Sequence, residues 1–371
     1  MELKIDDLNQ NPKLGSSDRP NSYIGRSVPR ERAKKLLEGK GNYVDDIALP
    51  RMVHLNFIRS PFAHAKIISI NISKAKNVSG VYEIFTIKDI EKVCTPWNGV
   101  LGHLGEMRSP TQFPLAKDFV RWQGEPVAVV VAKNRAIAED ASELVEIDYQ
   151  EIDAQLDMET ALSENTQIIH KELGNNLFWT RTVDQGNIND AFKNAYKVVE
   201  TTLDFARHTG VTLESRGIIA DWNSSEEKMT VYHNGQAPHM MQSIIAKHLQ
   251  ISEGLVRIIS CDVGGSFGIK VHVYPDEMVA VAVSKIMNRP VKYIADRLES
   301  YSTDIHSRCH KIYGKLGVNN KGKIIAFEID DLSGIGPYSV YPRTSAIETN
   351  QVLNLSAASY VVPNYKAKGT V

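Results

Sequence analysis

The sequence predicts a mixed α/β (α+β) fold with more than one domain. Short runs rich in β-branched residues alternate with apolar-periodic segments of helix length. Pro126–Ala132 is a continuous apolar run of strand length, Asn134 can cap a helix that continues to Glu143, and residues 145–149 are typical of another strand. We interpret this stretch as a β-α-β unit in a helix-covered sheet. At about 100–200 residues per domain, the 371 residues suffice for two or three domains.

The same two periodicities predict the remaining elements. In the first half we expect a short helix at 73–77 and strands at 52–58, 65–70 and 81–86. In the second half we expect helices at 187–195, 238–249 and 275–287, strands at 196–205, 256–260 and 290–295, and two hairpins, 218–223 with 228–232 and 312–318 with 323–332.

Composition excludes several classes of protein. Apolar residues make up 42% of the chain and charged residues 23%, which is typical of globular proteins. The formal net charge of −1 offers no electrostatic footprint for a nucleic acid. No apolar stretch approaches the roughly 18 residues of a membrane span, and the N-terminus MELKIDDLNQNPK lacks the apolar region of a signal peptide. We therefore expect a cytoplasmic protein with no membrane span and no nucleic-acid partner.

Changes in sequence texture predict four segments. Residues 1–37 form an irregular N-terminal arm, and residues 38–150 form a first domain that contains the strand-rich runs. Residues 151–180 are less regular and form a linker, and residues 181–371 form the second domain.

A glycine-rich turn at residues 264–268 is the strongest local motif. Its three glycines allow backbone angles that are closed to other residues, and they let a ligand approach the main chain. The turn matches neither the Walker pattern nor the dinucleotide-binding pattern, because Gly268 is followed by Ile269 and Lys270 and because the glycine spacing differs. From the residues alone, a plain tight turn and a ligand-binding loop both remain open, and a nucleotide-binding enzyme remains an alternative.

Gln236 is a second candidate ligand residue, because it follows a predicted strand and precedes the helix that begins at Pro238. Its side-chain amide can donate and accept hydrogen bonds at once, which suits a ligand contact. The alternative interpretation is a solvated glutamine in a loop. His233 and His239 flank Gln236 and are candidates for the same pocket or for structural hydrogen bonds.

Other reactive side chains give weaker signals. A helix would place His306 and His310 on one face beside Cys309, but no further metal ligands follow at a recognisable spacing. The cysteines are too widely spaced for a Cys-x-x-Cys pair or a disulfide framework, so we expect reduced thiols at Cys94, Cys261 and Cys309. We interpret four acidic residues as solvated caps or ion-pair partners: Asp45, Asp46, Asp276 and Glu277. We interpret the loop around Tyr338 and Tyr341 as a packing or interface element.

Taken together, the motifs resemble a known family. They occur in the following order: 24–30 (IGRSVPR), 39–47 (GKGNYVDDI), 57–65 (FIRSPFAHA), 124–131 (GEPVAVVV), 143–149 (ELVEIDY), 236–239 (QAPH), 262–268 (DVGGSFG) and 288–292 (NRPVK). This order resembles the large, molybdenum-binding subunit of the xanthine dehydrogenase, aldehyde oxidase and aerobic carbon monoxide dehydrogenase family. The resemblance extends from Ile24 to the end of the chain.

The resemblance implies an N-terminal α/β hammerhead domain followed by the first part of the molybdenum-cofactor-binding region. It also implies that four residues contact the cofactor: Gln236, Gly265, Phe267 and Gly268. In the family, the glutamine amide lies beside the apical oxo ligand of molybdenum. Two positions depart from the family pattern, since Ser266 replaces a glycine and Val271 replaces the glutamate of purine-oxidising members. Xanthine is therefore an unexpected substrate.

Family large subunits are roughly twice as long as this chain, and their general-base glutamate lies beyond the matching part. We therefore expect no catalytic residue and no direct metal ligand here, and we predict the N-terminal half of a split large subunit. The expected cofactor is molybdenum-molybdopterin, shared with a C-terminal half, with FAD on a medium subunit and 2Fe-2S clusters on a small subunit. The assembled enzyme would oxidise an aldehyde, carbon monoxide or a related small substrate with oxygen from water; a non-catalytic scaffold that binds redox subunits is the alternative.

Overall fold

The structure is a computed structural model that describes residues 29–30 and 33–371. The chain divides into two compact units between Asn42 and Tyr43. In the first unit, helix α1 spans Ala33–Leu37. The predicted N-terminal arm and the motif at 24–30 lie almost entirely outside the described residues.

In the unit that begins at Tyr43, the longer helices start and stop where local chemistry requires. The helices are α2 (Ser73–Lys76), α3 (Ile87–Ile90), α4 (Arg135–Ser142), α5 (Ile188–Lys193), α6 (Pro238–Leu249), α7 (Pro275–Met287), α8 (Arg297–Thr303) and α9 (Ile347–Leu355). The side chain of Asn134 caps α4 as predicted, by accepting a hydrogen bond from the amide of Ile137. Proline occupies the first turn of both α6 and α7, where no amide donor is needed. None of the described helices is long and apolar enough to cross a membrane.

The strands of this unit form three sheets. They are β1 (Val53–Arg59), β2 (Ala65–Asn71), β3 (Val81–Thr86), β4 (Phe119–Val120), β5 (Pro126–Ala132), β6 (Glu146–Glu151), β7 (Thr180–Gln185), β8 (Lys197–Phe205), β9 (Gly217–Asn223), β10 (Lys228–His233), β11 (Val256–Ser260), β12 (Val291–Ile294), β13 (His310–Val318), β14 (Ile324–Ser333) and β15 (Tyr365–Thr370).

The seven-stranded sheet holds the main core. Its order is β11-β10-β9-β12-β1-β5-β3, so strands from the first 132 residues and strands from 217–294 share one sheet. The join is the parallel pair β1 and β12, in which Val53 lies opposite Val291. β9 and β10 form the predicted hairpin. Helices α6 and α7 pack their apolar side chains, including Ile245 and Met278, into this core.

The predicted β-α-β unit is wrong, although its three elements are present. β5 is buried along its whole length and pairs antiparallel with β1 and β3, whereas β6 pairs antiparallel with β2 in a three-stranded sheet, β4-β2-β6. The reason lies in the β6 sequence, where Ile147 and Tyr149 alternate with charged residues. Such alternation suits a sheet with one solvated face rather than a parallel strand buried on both faces.

The five-stranded sheet has the order β7-β15-β14-β13-β8 and contains the predicted β13–β14 hairpin. Three elements, β7, α9 and β15, match none of those predicted from the sequence. Helix α9 packs Leu353 against Ile329 on one face of this sheet. Strand register places the side chains of Val199, Leu203 and Phe205 in β8 on that same face, but beyond α9, where they are about half exposed. We call these three side chains the β8 face.

Candidate functional site

Strand topology brings the predicted ligand residues to one edge of the seven-stranded sheet. β10 and β11 are parallel neighbours, with His233 opposite Ser260 at their carboxyl ends. Gln236 follows β10, and the turn at 264–268 follows β11. β9 runs antiparallel to β10, so the segment that precedes Gly217 reaches the same edge. Ligands of α/β proteins commonly bind at the carboxyl ends of adjacent parallel strands.

Hydrogen bonds join Gln236 to the glycine-rich turn. The hydroxyl of Ser266 donates to Oε1 of Gln236 and accepts a bond of 3.3 Å from the amide of Lys270. The backbone amide of Gln236 donates to the carbonyl of Lys270 at 2.9 Å. Among the described residues, none accepts a hydrogen bond from Nε2 of Gln236. This NH₂ group is therefore available to a ligand, and Ser266, which departs from the family pattern, orients it.

The backbone of the turn adopts conformations that favour glycine. Gly265 and Gly268 have φ values of +105° and +92°, and Phe267 has a φ of +51°. The amides of four successive residues, Gly265, Ser266, Phe267 and Gly268, donate to no acceptor in the part of the chain that the structure describes. A Cβ atom built on Gly268 would meet nothing within 4 Å, so the space above this residue is open. Successive free amides beside open space suit an anionic group.

These donors fit the oxo groups of a molybdenum cofactor, because oxo oxygens accept hydrogen bonds from amides. Within residues 33–371, no three side chains of His, Cys, Asp or Glu gather closely enough to hold a metal ion. What the described turn offers a cofactor is a set of hydrogen-bond donors.

Apolar side chains face solvent in the turn and in two segments that hydrogen bonds connect to it. Phe267 is 77% exposed, Leu213 is 94% exposed and Leu298 is 78% exposed. The carbonyl of Leu213 accepts a bond from Arg297 at the start of α8, and Phe267 lies against Gly210 in the same segment. We call these three exposed side chains the turn patch. Exposed apolar clusters of this kind are characteristic of surfaces that another molecule covers.

A separate cavity of about 590 Å³ adjoins the site without including its predicted residues. Its walls include Arg121, His272, Tyr338 and Tyr341. Tyr341 is buried and its hydroxyl lies 2.9 Å from Nε2 of His248, in agreement with the packing role expected for this loop. Burial raises the pKa of Glu125, beside Tyr338, to about 7.

A buried charge cluster is centred on Arg216, the residue that precedes β9. Arg216 is 0% exposed and its guanidinium lies 2.8 Å from a carboxylate oxygen of Asp276 and 2.6 Å from one of Asp304. Arg59 also binds Asp276, at 3.0 Å. Although burial favours the neutral acid, the two arginines hold the pKa of Asp276 well below its usual range. The interpretation of Asp276 and Glu277 as ion-pair partners is correct, but both are buried rather than solvated.

The histidines have structural contacts. His310 lies in strand β13, so no helix places it on one face with His306. Nδ1 of His310 lies 2.8 Å from a carboxylate oxygen of Asp331. His233 is buried with Nε2 3.4 Å from Glu277, and His239 is exposed on α6.

The cysteines are free thiols, as expected. Burial raises the pKa of Cys94 to about 12, and burial also raises the pKa of Cys261. Neither environment activates a thiolate nucleophile.

Sequence reasoning missed Arg216, Glu214 and Lys270, although all three lie near the site. Arg216 sits between two acidic residues that are distant in sequence, and no local spacing marks such a pair. In the sequence, Lys270 is informative only because the order Gly268-Ile269-Lys270 does not fit the Walker pattern.

Two domain families match the chain. Residues 38–153 match the a/b hammerhead domain of aldehyde oxidase and xanthine dehydrogenase, and residues 169–371 match the molybdopterin cofactor-binding domain. The nicotine 6-hydroxylase large subunit of Paenarthrobacter nicotinovorans is 33% identical over 95% of this chain and 44% of its own length. The carbon monoxide dehydrogenase large chain of Hydrogenophaga pseudoflava is 30% identical over 90% of this chain and 43% of its own length.

Solved structures agree with the sequence matches. Quinoline 2-oxidoreductase from Pseudomonas putida 86 superposes with a TM-score of 0.90 and 29% identity, over 94% of this chain and 44% of that one. The chain thus spans less than half the length of these relatives. It spans 77% of the nicotinate dehydrogenase large molybdopterin subunit of Eubacterium barkeri, to which it is 27% identical over 92% of its own length. The chain therefore belongs to the molybdopterin-binding aldehyde oxidase and xanthine dehydrogenase family, whose members named here are oxidoreductases.

Proposed function

We propose that this chain is the N-terminal portion of a split molybdenum hydroxylase large subunit, and that a second polypeptide supplies the remainder. The order of a hammerhead domain followed by a cofactor-binding domain supports this proposal. The match to 77% of the Eubacterium barkeri large molybdopterin subunit also supports it, because that relative is itself far shorter than the other large subunits.

The single observation that carries the proposal is the juxtaposition of Gln236 with the free amides of the turn at 264–268. We assign Gln236, Gly265, Phe267 and Gly268 to binding of the molybdenum-molybdopterin cofactor. When bound, the cofactor would carry out the oxidation of a small substrate, and water would provide the oxygen atom. Gln236 would donate from Nε2 and the turn would donate from its backbone amides, so these residues would orient the oxo groups without ligating the metal.

Two uncovered apolar surfaces support completion of the site by another polypeptide. The turn patch borders the candidate site, and the β8 face continues the apolar side of the five-stranded sheet beyond α9. Leaving such surfaces in water costs roughly 25 cal/mol per Å², so covering them would stabilise an assembly. We propose that the C-terminal portion of the large subunit covers them and shares the cofactor.

The remaining partners follow from the family. We propose that electrons leave through 2Fe-2S clusters on a small subunit to FAD on a medium subunit. The substrate would be an aldehyde, carbon monoxide or a related small molecule, because Val271 cannot replace the hydrogen bonds of the glutamate that purine-oxidising members carry. The free cysteines are consistent with a reducing cytoplasmic location.

Co-expression with a polypeptide that carries the rest of the family's large subunit tests this function. We expect a stable complex that oxidises an aldehyde or carbon monoxide. Gln236→Ala should leave the complex intact but lower activity, whereas Gln150→Ala on exposed strand β6 should change neither.

Three other outcomes would contradict the proposal. Failure to form a complex would refute the split subunit. A stable complex without turnover would favour the scaffold, and thermal stabilisation of the chain by nucleotides would favour the phosphate-binding alternative.

A further inference from the structure

Lys270 is a buried lysine that contacts all three segments of the candidate site. Its side chain is only 1% exposed, and Nζ lies 2.9 Å from Oε2 of Glu214, in the segment before β9. Its amide donates to the hydroxyl of Ser266 in the turn, and its carbonyl accepts from the amide of Gln236 after β10. The residue thus links three segments that are separate in sequence.

Glu214 fixes the start of the turn by a second set of contacts. Oε2 of Glu214 accepts a bond of 2.8 Å from the amide of Gly264, and the amide of Glu214 donates to the carbonyl of Gly264 at 3.1 Å. A Cβ atom on Gly264 would lie 2.4 Å from Cβ of Glu214, so the two backbones are as close as a glycine allows. A single carboxylate oxygen therefore holds both the turn and the ammonium group.

The charges at this contact depend on each other. Burial lowers the pKa of Lys270, and Glu214, Asp304 and Glu277 oppose that effect. Removal of one member of a buried pair leaves an uncompensated charge, whereas removal of both members does not. The pair can therefore be dissected by comparing single and double substitutions.

We propose that Lys270 and Glu214 are positioning residues that hold Gln236 and the turn at 264–268 in one arrangement before any ligand binds. This inference rests on the proposed function, because the ligand that these fixed donors would bind is the molybdenum cofactor. The free amides of the turn are useful only if the chain cannot relax and bond to itself, and donors held in place need no reorganisation when a ligand arrives. The Lys270–Glu214 pair supplies that restraint from the buried side, where it does not obstruct the ligand.

Hydrogen exchange on the full chain without cofactor tests the proposal. We expect Lys270→Met to accelerate exchange of the protected amides of Gly264, Ile269 and Gln236 by about tenfold or more, the effect of losing a hydrogen bond to a charged group. Lys292→Met is the control, because Lys292 is also a buried lysine in an ion pair. Its Nζ lies 2.8 Å from Oδ1 of Asp45, and neither residue belongs to the turn or to its contacts. This variant should lower the melting temperature without accelerating exchange at the turn.

Glu214→Gln keeps the test possible if Lys270→Met fails to fold, since glutamine retains an acceptor for the amide of Gly264. The double variant should recover the melting temperature, because no buried charge is left unpaired, while the turn amides still exchange rapidly. Wild-type protection of the amides of Ile269 and Gln236 in folded Lys270→Met, or in folded Glu214→Gln if Lys270→Met does not fold, would overturn the proposal. Failure of the proposed function would appear differently, as a wild-type complex that contains no molybdenum.

Discussion

The two large sheets of this chain differ in how completely the chain covers them. In the seven-stranded sheet, central side chains such as Val129 and Val291 are fully buried, and α6 and α7 complete the core. In the five-stranded sheet, Leu353 of α9 is fully buried, but the β8 face on the same side is about half exposed. The core of the first sheet is covered by the chain itself, whereas the second sheet leaves part of its apolar face exposed.

The largest effect should come from the buried charge cluster around Arg216. Arg216→Met would leave Asp276 and Asp304 buried without their main partner, so we expect the free energy of unfolding to fall by about 3–5 kcal/mol. Urea denaturation measures this change. Arg257→Met, at an exposed position of β11, is the control and should have little effect. A loss below about 1 kcal/mol for Arg216→Met would show that the cluster does not stabilise the sheet.

A pair of leucine substitutions compares the covered and uncovered parts of the five-stranded sheet. Leu353→Ala should lower the free energy of unfolding by about 2–5 kcal/mol, because the side chain is fully buried. Leu203→Ala on the β8 face should change it by only about 0.5 kcal/mol or less in the isolated chain. Equal losses in urea titrations would contradict the distinction between the two parts.

The stability that the His310–Asp331 ion pair gives to the same sheet should decrease gradually as the pH rises. Although burial alone would lower the pKa of His310, hydrogen bonds to Asp331 and Glu348 raise it to about 9, from an ordinary value of 6.5. Because the folded-state pKa is raised, the stabilisation is complete below about pH 6.5 and is lost as the pH rises through about 9. The melting temperature of the wild type should therefore fall between these pH values more steeply than that of His310→Gln. Parallel pH profiles would refute the assignment.

The sequence predicted local structure better than strand partnership. The Asn134 cap, the prolines of α6 and α7 and the two hairpins are encoded by neighbouring residues, and the structure contains them. The partner of β6 is not encoded locally, because an alternating strand can join any sheet that has a solvated face. Helix α9 was missed because only Thr349 and Leu353 among its residues are buried, which leaves little apolar periodicity.

In the candidate site, too, local features could be predicted from the sequence but tertiary contacts could not. Gln236 and the turn at 264–268 could be identified singly as residues that follow strands, but their proximity depends on the parallel pairing of β10 with β11. The link through Lys270 was beyond sequence reasoning, since a lysine beside a glycine-rich turn gives no indication of whether its ammonium group is buried. Tertiary structure alone supplies its partner, Glu214.

Molybdenum content is the most direct test of the central claim, which is that this chain forms one wall of a shared cofactor site. Elemental analysis should be performed on the chain purified alone and on the chain co-purified with the complementary part of the large subunit. We predict molybdenum in near-stoichiometric amount in the complex and none in the chain alone. A stable complex without molybdenum, or full loading of the isolated chain, would contradict the account.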